Sequence, residues 1–258
     1  MPPHVLILRA PGTNCDEETA LAFARAGAVA HRVHVNRWLE RPELADEFQI
    51  LCIPGGFSYG DDIAAGRILA SQIRTHLADQ MRRFREADKL ILGICNGFQV
   101  LLKSGILLAE DADGPVATLT WNDSGKFEAR WVTLGVCAAS CVFLAGIDRL
   151  RLPVAHAEGK FVTRDAATLD QLRGGRQLVL QYRPVTGEDT DQVPYPSNPN
   201  GSVANAAGVC DPSGRVLGMM PHPERFIDTT HDPQWTRWRQ GCVGDGLRIF
   251  ENAVHYFR

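Results

Sequence analysis

The chain has 258 residues, 45% hydrophobic and 22% charged, with a formal net charge of -3 at pH 7. That length suits one domain with a full core, and the charge leaves no electrostatic footprint for nucleic acid or an acidic membrane surface. The seven cysteines, at 15, 52, 95, 137, 141, 210 and 242, are odd in number, widely spaced and without a Cys-x-x-Cys pair, which argues against a disulfide framework or a metal site and for a reduced, cytoplasmic compartment.

Met1-Pro2-Pro3-His4 leads directly into an apolar run at 4–8 with no secretory leader. Further Val, Ile and Leu runs at 31–35, 49–53 and 89–94 predict strands, and helix-period segments at 16–27, 66–87 and 97–107 lie between them. Continuous apolar strands alternating with amphipathic helices predict an α/β fold, a doubly wound and mostly parallel sheet flanked by helices. The basic cluster Met81-Arg82-Arg83-Phe84-Arg85 has acidic neighbours and reads as a solvated helix face. Strand-like pieces at 116–121, 127–136, 151–156 and 177–183 predict an added, partly antiparallel region. The apolar stretch from Leu134 to Ile147 is shorter than the ~20 residues of a membrane span and reads as core, with no membrane partner. The segment 185–202 is dense in Gly, Pro, Asn and Asp, and a loop of that length is more often functional than idle. A strand at 215–220 runs into Pro221-His222-Pro223-Glu224, and 244–256 predicts a closing helix. Neither a repeat nor a linker interrupts the chain, so residues 1–258 are expected to form a single domain.

The sharpest chemical signal is Leu90-Ile91-Leu92-Gly93-Ile94-Cys95-Asn96-Gly97-Phe98-Gln99, a buried strand that ends in Gly-x-Cys-x-Gly and turns at once into a helix. Such an elbow projects the sulfur, and the flanking glycines relieve crowding between strand and helix. The helix N-terminus also favours the thiolate. The other six cysteines have no comparable setting and are assigned to packing.

A thiol nucleophile needs a base, and the base needs a third group to orient it. Of eight histidines, His222 stands between two prolines that hold the backbone extended. In an extended segment Glu224 shares its face and can bond one imidazole nitrogen while the other faces the sulfur. His156, in His156-Ala157-Glu158-Gly159-Lys160, is the competing base, read instead as a substrate-loop or partner-contact residue. A tetrahedral intermediate also requires backbone N–H donors. Asn96 supplies one at the helix start. The second is expected from a neighbouring strand end, and Gly55-Gly56, after the apolar strand at 51–53, fits because a glycine pair lets backbone approach the substrate.

Pro54-Gly55-Gly56, the Cys95 elbow and Pro221-His222-Pro223-Glu224 together resemble the class I (triad) glutamine amidotransferases. More selective segments narrow the resemblance to the glutaminase components of phosphoribosylformylglycinamidine synthase. They are Pro11-Gly12-Thr13-Asn14-Cys15-Asp16, Gly56-Phe57-Ser58-Tyr59-Gly60-Asp61, Asn122-Asp123-Ser124-Gly125-Lys126-Phe127, His156-Ala157-Glu158-Gly159-Lys160-Phe161, Asn198-Pro199-Asn200-Gly201-Ser202 and Gly218-Met219-Met220-Pro221-His222-Pro223-Glu224-Arg225. The resemblance runs from about residue 4 to 256. It implies a flavodoxin-like fold with Cys95 as nucleophile, His222 as acid and base, Glu224 as its orienter, and Gly56 and Asn96 as oxyanion donors. It also implies glutamine contacts from Gly55, Gln99, Asn122 and Ser124. The expected partners are L-glutamine as substrate, a large synthetase subunit that uses ATP and Mg, and a small third subunit. Arg9-Ala10 and Ala157 depart from the family pattern outside the triad and bear on partner fit.

The chain has no Gly-x-x-x-x-Gly-Lys-[Ser/Thr] phosphate loop, and no cofactor is expected in it. Two other readings stay open on the residues: a cysteine peptidase or related hydrolase on a similar α/β fold, and a non-catalytic regulatory subunit. Gln99 and the segment 122–127 weigh against the first, and the intact Cys95, His222 and Glu224 set against the second. Amidotransferases of guanylate or anthranilate synthesis fit the accessory segments less well.

Overall fold

The computed structural model describes residues 1–137, 140–185, 190, 192–237 and 243–258. Residues 186–189 and 191 of the long loop, and Cys242, lie outside the described residues. In chain order the elements are β1 (His4–Arg9), α1 (Asp16–Arg25), β2 (Val29–His34), α2 (Val35–Glu40), β3 (Ile50–Ile53), α3 (Arg67–His76), α4 (Ala78–Glu86), β4 (Leu90–Ile94), α5 (Asn96–Lys103) and β5 (Ala117–Thr120). They continue with β6 (Glu128–Val136), β7 (Arg149–His156), β8 (Lys160–Thr163), α6 (Ala166–Gly174), β9 (Leu180–Arg183), β10 (Ala206–Cys210), β11 (Val216–Met219) and α7 (Leu247–His255).

Nine strands form one sheet in the order β2-β1-β3-β4-β11-β10-β9-β6-β7. The first five pair in parallel and the rest antiparallel. β3 and β4 are buried at every position, as strands covered on both faces must be. The expected antiparallel addition is therefore continuous with the parallel sheet. β5 and β8 pair separately as a two-stranded ribbon beside it.

The predicted helix at 66–87 is two helices, broken at Leu77 (φ -124°, ψ 12°). Leu69, Ile73, Leu77, Met81 and Phe84 are all buried, so the apolar period carries through the break and hides it. Arg82 and Arg83 are exposed on α4, as a solvated face requires. Four elements carried too little periodicity to be expected: α2, β8, α6 and β10. β10 reads Ala-Ala-Gly-Val-Cys and is wholly buried between β9 and β11, where neighbouring strands supply the bulk its own side chains lack. Among the described residues no helix is long and apolar enough to cross a membrane.

Candidate active site

β4 delivers its last residue, Ile94, to a tight turn at Cys95, and α5 begins at Asn96. Cys95 has φ 51° and ψ -104°, a backbone conformation few non-glycine residues hold. It is pinned from both sides: Cys95 N–H donates to Met219 O of β11 at 2.7 Å, while Cys95 O accepts from Phe98 N at 3.0 Å. A Cβ on Gly97 would stand 1.8 Å from Ile53 O, so α5 can approach β3 this closely only with glycine there.

His222 follows β11. Its N–H donates to Pro153 O at 2.9 Å, which ties it to β7 across the site. The backbone at His222 is extended, but Pro223–Arg225 is a single 3-10 turn. The expected extended register is thus replaced by a turn, which brings Glu224 back under the ring. His222 Nδ1 lies 2.6 Å from Glu224 Oε1, and both side chains are nearly inaccessible. Burial by itself would push the imidazole down. The Glu224 carboxylate, then the neighbouring Cys95 sulfur, outweigh it and hold the His222 pKa well above its ordinary value. Cys95 Sγ donates to Ala155 O at 3.7 Å, and among the described residues His222 Nε2 has no hydrogen-bond partner within normal geometry.

Gly56 has φ 142° and sits where any Cβ would strike Gly12 O, Thr13 Cα and Asn14 N. The loop at 10–14 closes over it through Phe57 N–H donating to Gly12 O at 2.9 Å. No backbone or side-chain acceptor within the described residues takes the N–H of Gly56 or Asn96. The Asn96 carboxamide locks this arrangement: Oδ1 accepts from Ser58 N, and Nδ2 donates to Asp61 Oδ1 and Gln99 Oε1.

Between these parts lies a cavity bordered by Gly56-Phe57, Cys95, Gln99 and the strand end Ala155–Glu158. Its outer wall, the turn from β7 into β8, is braced from behind. Asn200 Nδ2 donates to Gly159 O at 2.8 Å, and Phe161 N donates to Ser202 Oγ at 2.9 Å. The Asn-Pro-Asn-Gly-Ser segment at the end of the long loop is therefore a buried strut of the site wall.

The CobB/CobQ-like glutamine amidotransferase domain model matches residues 2–257. The chain belongs to that family. The phosphoribosylformylglycinamidine synthase subunit PurQ of Dehalococcoides mccartyi is 48% identical over 254 residues, covering 98% of this chain and 97% of the relative. The subunit of the same name from Methanococcus maripaludis is 38% identical over 267 residues, covering 99% and 97%. The solved structure of PurLQS from Thermotoga maritima superposes with a TM-score of 0.74 at 30% identity over 100% of each chain. A further glutamine amidotransferase from Thermotoga maritima, 16% identical with a TM-score of 0.56, shares the fold.

In the amidotransferase Cys95 and Gly56 border the cavity, Asn96 follows Cys95 at the start of α5, and the His222–Glu224 pair is buried beside the Cys95 sulfur. Of the remaining expected contacts, Gln99 borders the cavity, and Gly55, Asn122 and Ser124 stand outside its lining. A Cβ on Gly55 would meet His222 Cε1 at 2.8 Å and Cys15 Sγ at 3.1 Å, so Gly55 makes room for the imidazole. Gln99 lines the cavity, but its Oε1 accepts from Asn96 Nδ2 and its Nε2 donates to Glu158 O at 2.7 Å. Asn122 and Ser124 do not border the cavity. Asn122 is buried with its carboxamide engaged by Lys126, His156 and Gly159, and Ser124 is an exposed turn residue whose Oγ accepts from Lys126 N.

Cys15, assigned to packing, lies against the base. The ligating atoms of Cys15, His222 and Glu224 are within 4.8 Å of one another, and Arg225 Nη2 donates to Cys15 Sγ at 3.1 Å. Its position after Pro-Gly-Thr-Asn was visible in the sequence, but nothing there linked it to His222, 207 positions away. Cys137 also departs from that assignment, since it is exposed at the end of β6. Arg9, one of the departures from the family pattern, forms an ion pair with the buried Asp16 carboxylate at 2.7 Å.

Proposed function

We propose that this amidotransferase is the glutaminase subunit of a phosphoribosylformylglycinamidine synthase, hydrolysing glutamine and passing ammonia to a synthetase partner in purine biosynthesis. One observation carries the chemistry: a cysteine on a strained elbow opens into a cavity beside a buried His222–Glu224 pair. The near-complete coverage of PurQ relatives supports the pathway assignment.

In this reading the Cys95 thiolate, paired with the His222 imidazolium, attacks the side-chain amide carbon of glutamine. Gly56 N–H and Asn96 N–H hold the oxyanion. His222 gives its proton to the leaving nitrogen, and ammonia departs from a γ-glutamyl thioester. Water then enters, His222 takes one of its protons, and the tetrahedral intermediate collapses to glutamate and the Cys95 thiolate. Glu224 holds Nδ1 throughout. Residues 1–258 act as one domain without a cofactor of their own. ATP and Mg are used by the large subunit, a small third subunit completes the complex, and the assembly works in the cytoplasm.

The test is glutamate release by the purified chain, alone and with the synthetase partner, nucleotide substrate and ATP, for wild type and Cys95→Ser. Hydrolysis that rises with the partner and vanishes in the variant supports the reading. Its absence from wild type under every condition removes it.

A further inference from the structure

His156 is 3% exposed and lines the same cavity as Cys95, yet the mechanism above does not use it. Its hydrogen bonds determine its tautomer. Asn122 Nδ2 donates to two carbonyls, Lys126 O at 2.9 Å and His156 O at 2.8 Å, which orients the carboxamide. Asn122 Oδ1 is therefore the atom facing the ring, and it already accepts from Gly159 N–H at 3.1 Å. The imidazole nitrogen 3.1 Å from that oxygen is Nδ1, so Nδ1 must carry the proton. Nε2 is left with a bare lone pair.

That lone pair is buried and has no partner among the described residues. Gly159 covers the opposite edge so closely that a Cβ there would lie 2.3 Å from Nδ1 and from Cε1. The Nδ1 side is thus closed by protein, and Nε2 is the ring nitrogen left without a partner among the described residues. Burial, then the charge on His222, pushes the His156 pKa down to about 3, so the ring stays neutral at physiological pH. A buried acceptor without a donor is costly.

We propose that His156 Nε2 accepts a hydrogen bond from the side-chain carboxamide N–H of glutamine, so that the cavity takes an amide and refuses the carboxylate of glutamate. The chemistry favours this donor over the others in the substrate. The carboxamide oxygen belongs with the N–H groups of Gly56 and Asn96, and Gln99 has both amide atoms engaged. Glutamate would set a second lone pair against Nε2, a repulsion that a neutral, tautomer-locked ring cannot relieve. The inference rests on the glutaminase reading.

The experiment follows the imidazole nitrogens of the full chain by 15N NMR in a Cys95→Ala background, titrated with glutamine and with glutamate. The expected result is a bare Nε2 in the free protein, shifted by glutamine and unmoved by glutamate. A proton on Nε2, or an Nε2 signal unmoved while calorimetry shows glutamine bound, overturns the proposal. In the complex with the synthetase partner, His156→Phe should raise the KM for glutamine about three- to tenfold, the effect of one hydrogen bond, without weakening inhibition by glutamate. Equal weakening of both ligands would make His156 a brace of the wall and overturn the assignment. Cys95-dependent hydrolysis in wild type with an unmoved Nε2 defeats this inference alone, whereas no such hydrolysis defeats the glutaminase reading and the inference with it.

Discussion

His222 Nδ1 and Glu224 Oε1 stand 2.6 Å apart across one 3-10 turn, with neither side chain more than 2% exposed. A carboxylate removed so fully from water requires a cationic or donor partner, and the ring is the partner it has. The electrostatic consequence is directional: burial lowers the imidazole pKa, and Glu224 reverses the sign.

Glu224→Gln removes the charge and leaves the burial. The His222 pKa should then fall, so the ring loses its proton at lower pH. The alkaline limb of the kcat/KM profile should move toward neutrality, and kcat should drop about 10²–10⁴-fold. A pH–rate series on wild type and variant checks both; an unmoved alkaline limb would mean that Glu224 does not set the titration of His222.

The φ of 51° at Cys95 reverses the usual order of small residues. Cys95→Gly should be more stable than Cys95→Ala by about 1 kcal/mol, because only glycine adopts that conformation without strain. Neither variant should hydrolyse glutamine. Urea melts of the two decide it, and an alanine variant as stable as the glycine one would show that the elbow stores no strain.

Two sulfurs flank the His222–Glu224 pair, but their access differs. Cys15 is 1% exposed, and burial raises its pKa, while Cys95 borders the cavity. Brief alkylation followed by peptide mass spectrometry should therefore modify Cys95 ahead of Cys15. Cys15→Ser should keep hydrolysis to within about tenfold of wild type, since Cys15 contacts the base and lies outside the cavity lining. Preferential labelling of Cys15 would contradict this geometry.

Asn200 is fully buried, and its Nδ2 donates to Gly159 O and Tyr182 OH. Asn200→Ala leaves Gly159 O with only the longer bond from Ser202 Oγ at 3.4 Å, takes the Asn200 donor from Tyr182 OH, and should cost about 1–3 kcal/mol by denaturant unfolding. Because Gly159 follows Glu158, which borders the cavity, the KM for glutamine should rise more than kcat falls. A variant with wild-type stability would remove the strut from the account.

Much of the scaffold was legible because local rules act within short windows. β1, β3, β4 and α5 follow from apolar runs and periodicity, and the Cys95 elbow from two glycines, where a Cβ would strike Leu101 Cδ1 and Gly97 O at Gly93 and Ile53 O at Gly97. The helix break at Leu77 was not legible, since the apolar face continues through it. β10 was not legible either, since small residues form a strand only when β9 and β11 already flank them.

The sequence by itself determined the α/β alternation, the elbow cysteine and a His-x-Glu pair held by prolines, because each depends on residues that are close in the chain. Tertiary structure alone decided that β7 anchors His222 through Pro153, that Cys15 rests against the base, and that the carboxamides of Gln99 and Asn122 are engaged within the protein. It also decided which nitrogen of His156 keeps a free lone pair, since that depends on an asparagine 34 positions away and on the carbonyls that orient it. Hydrogen-bond satisfaction in a buried site is settled by whichever donors and acceptors the fold brings together, and spacing along the chain does not encode it.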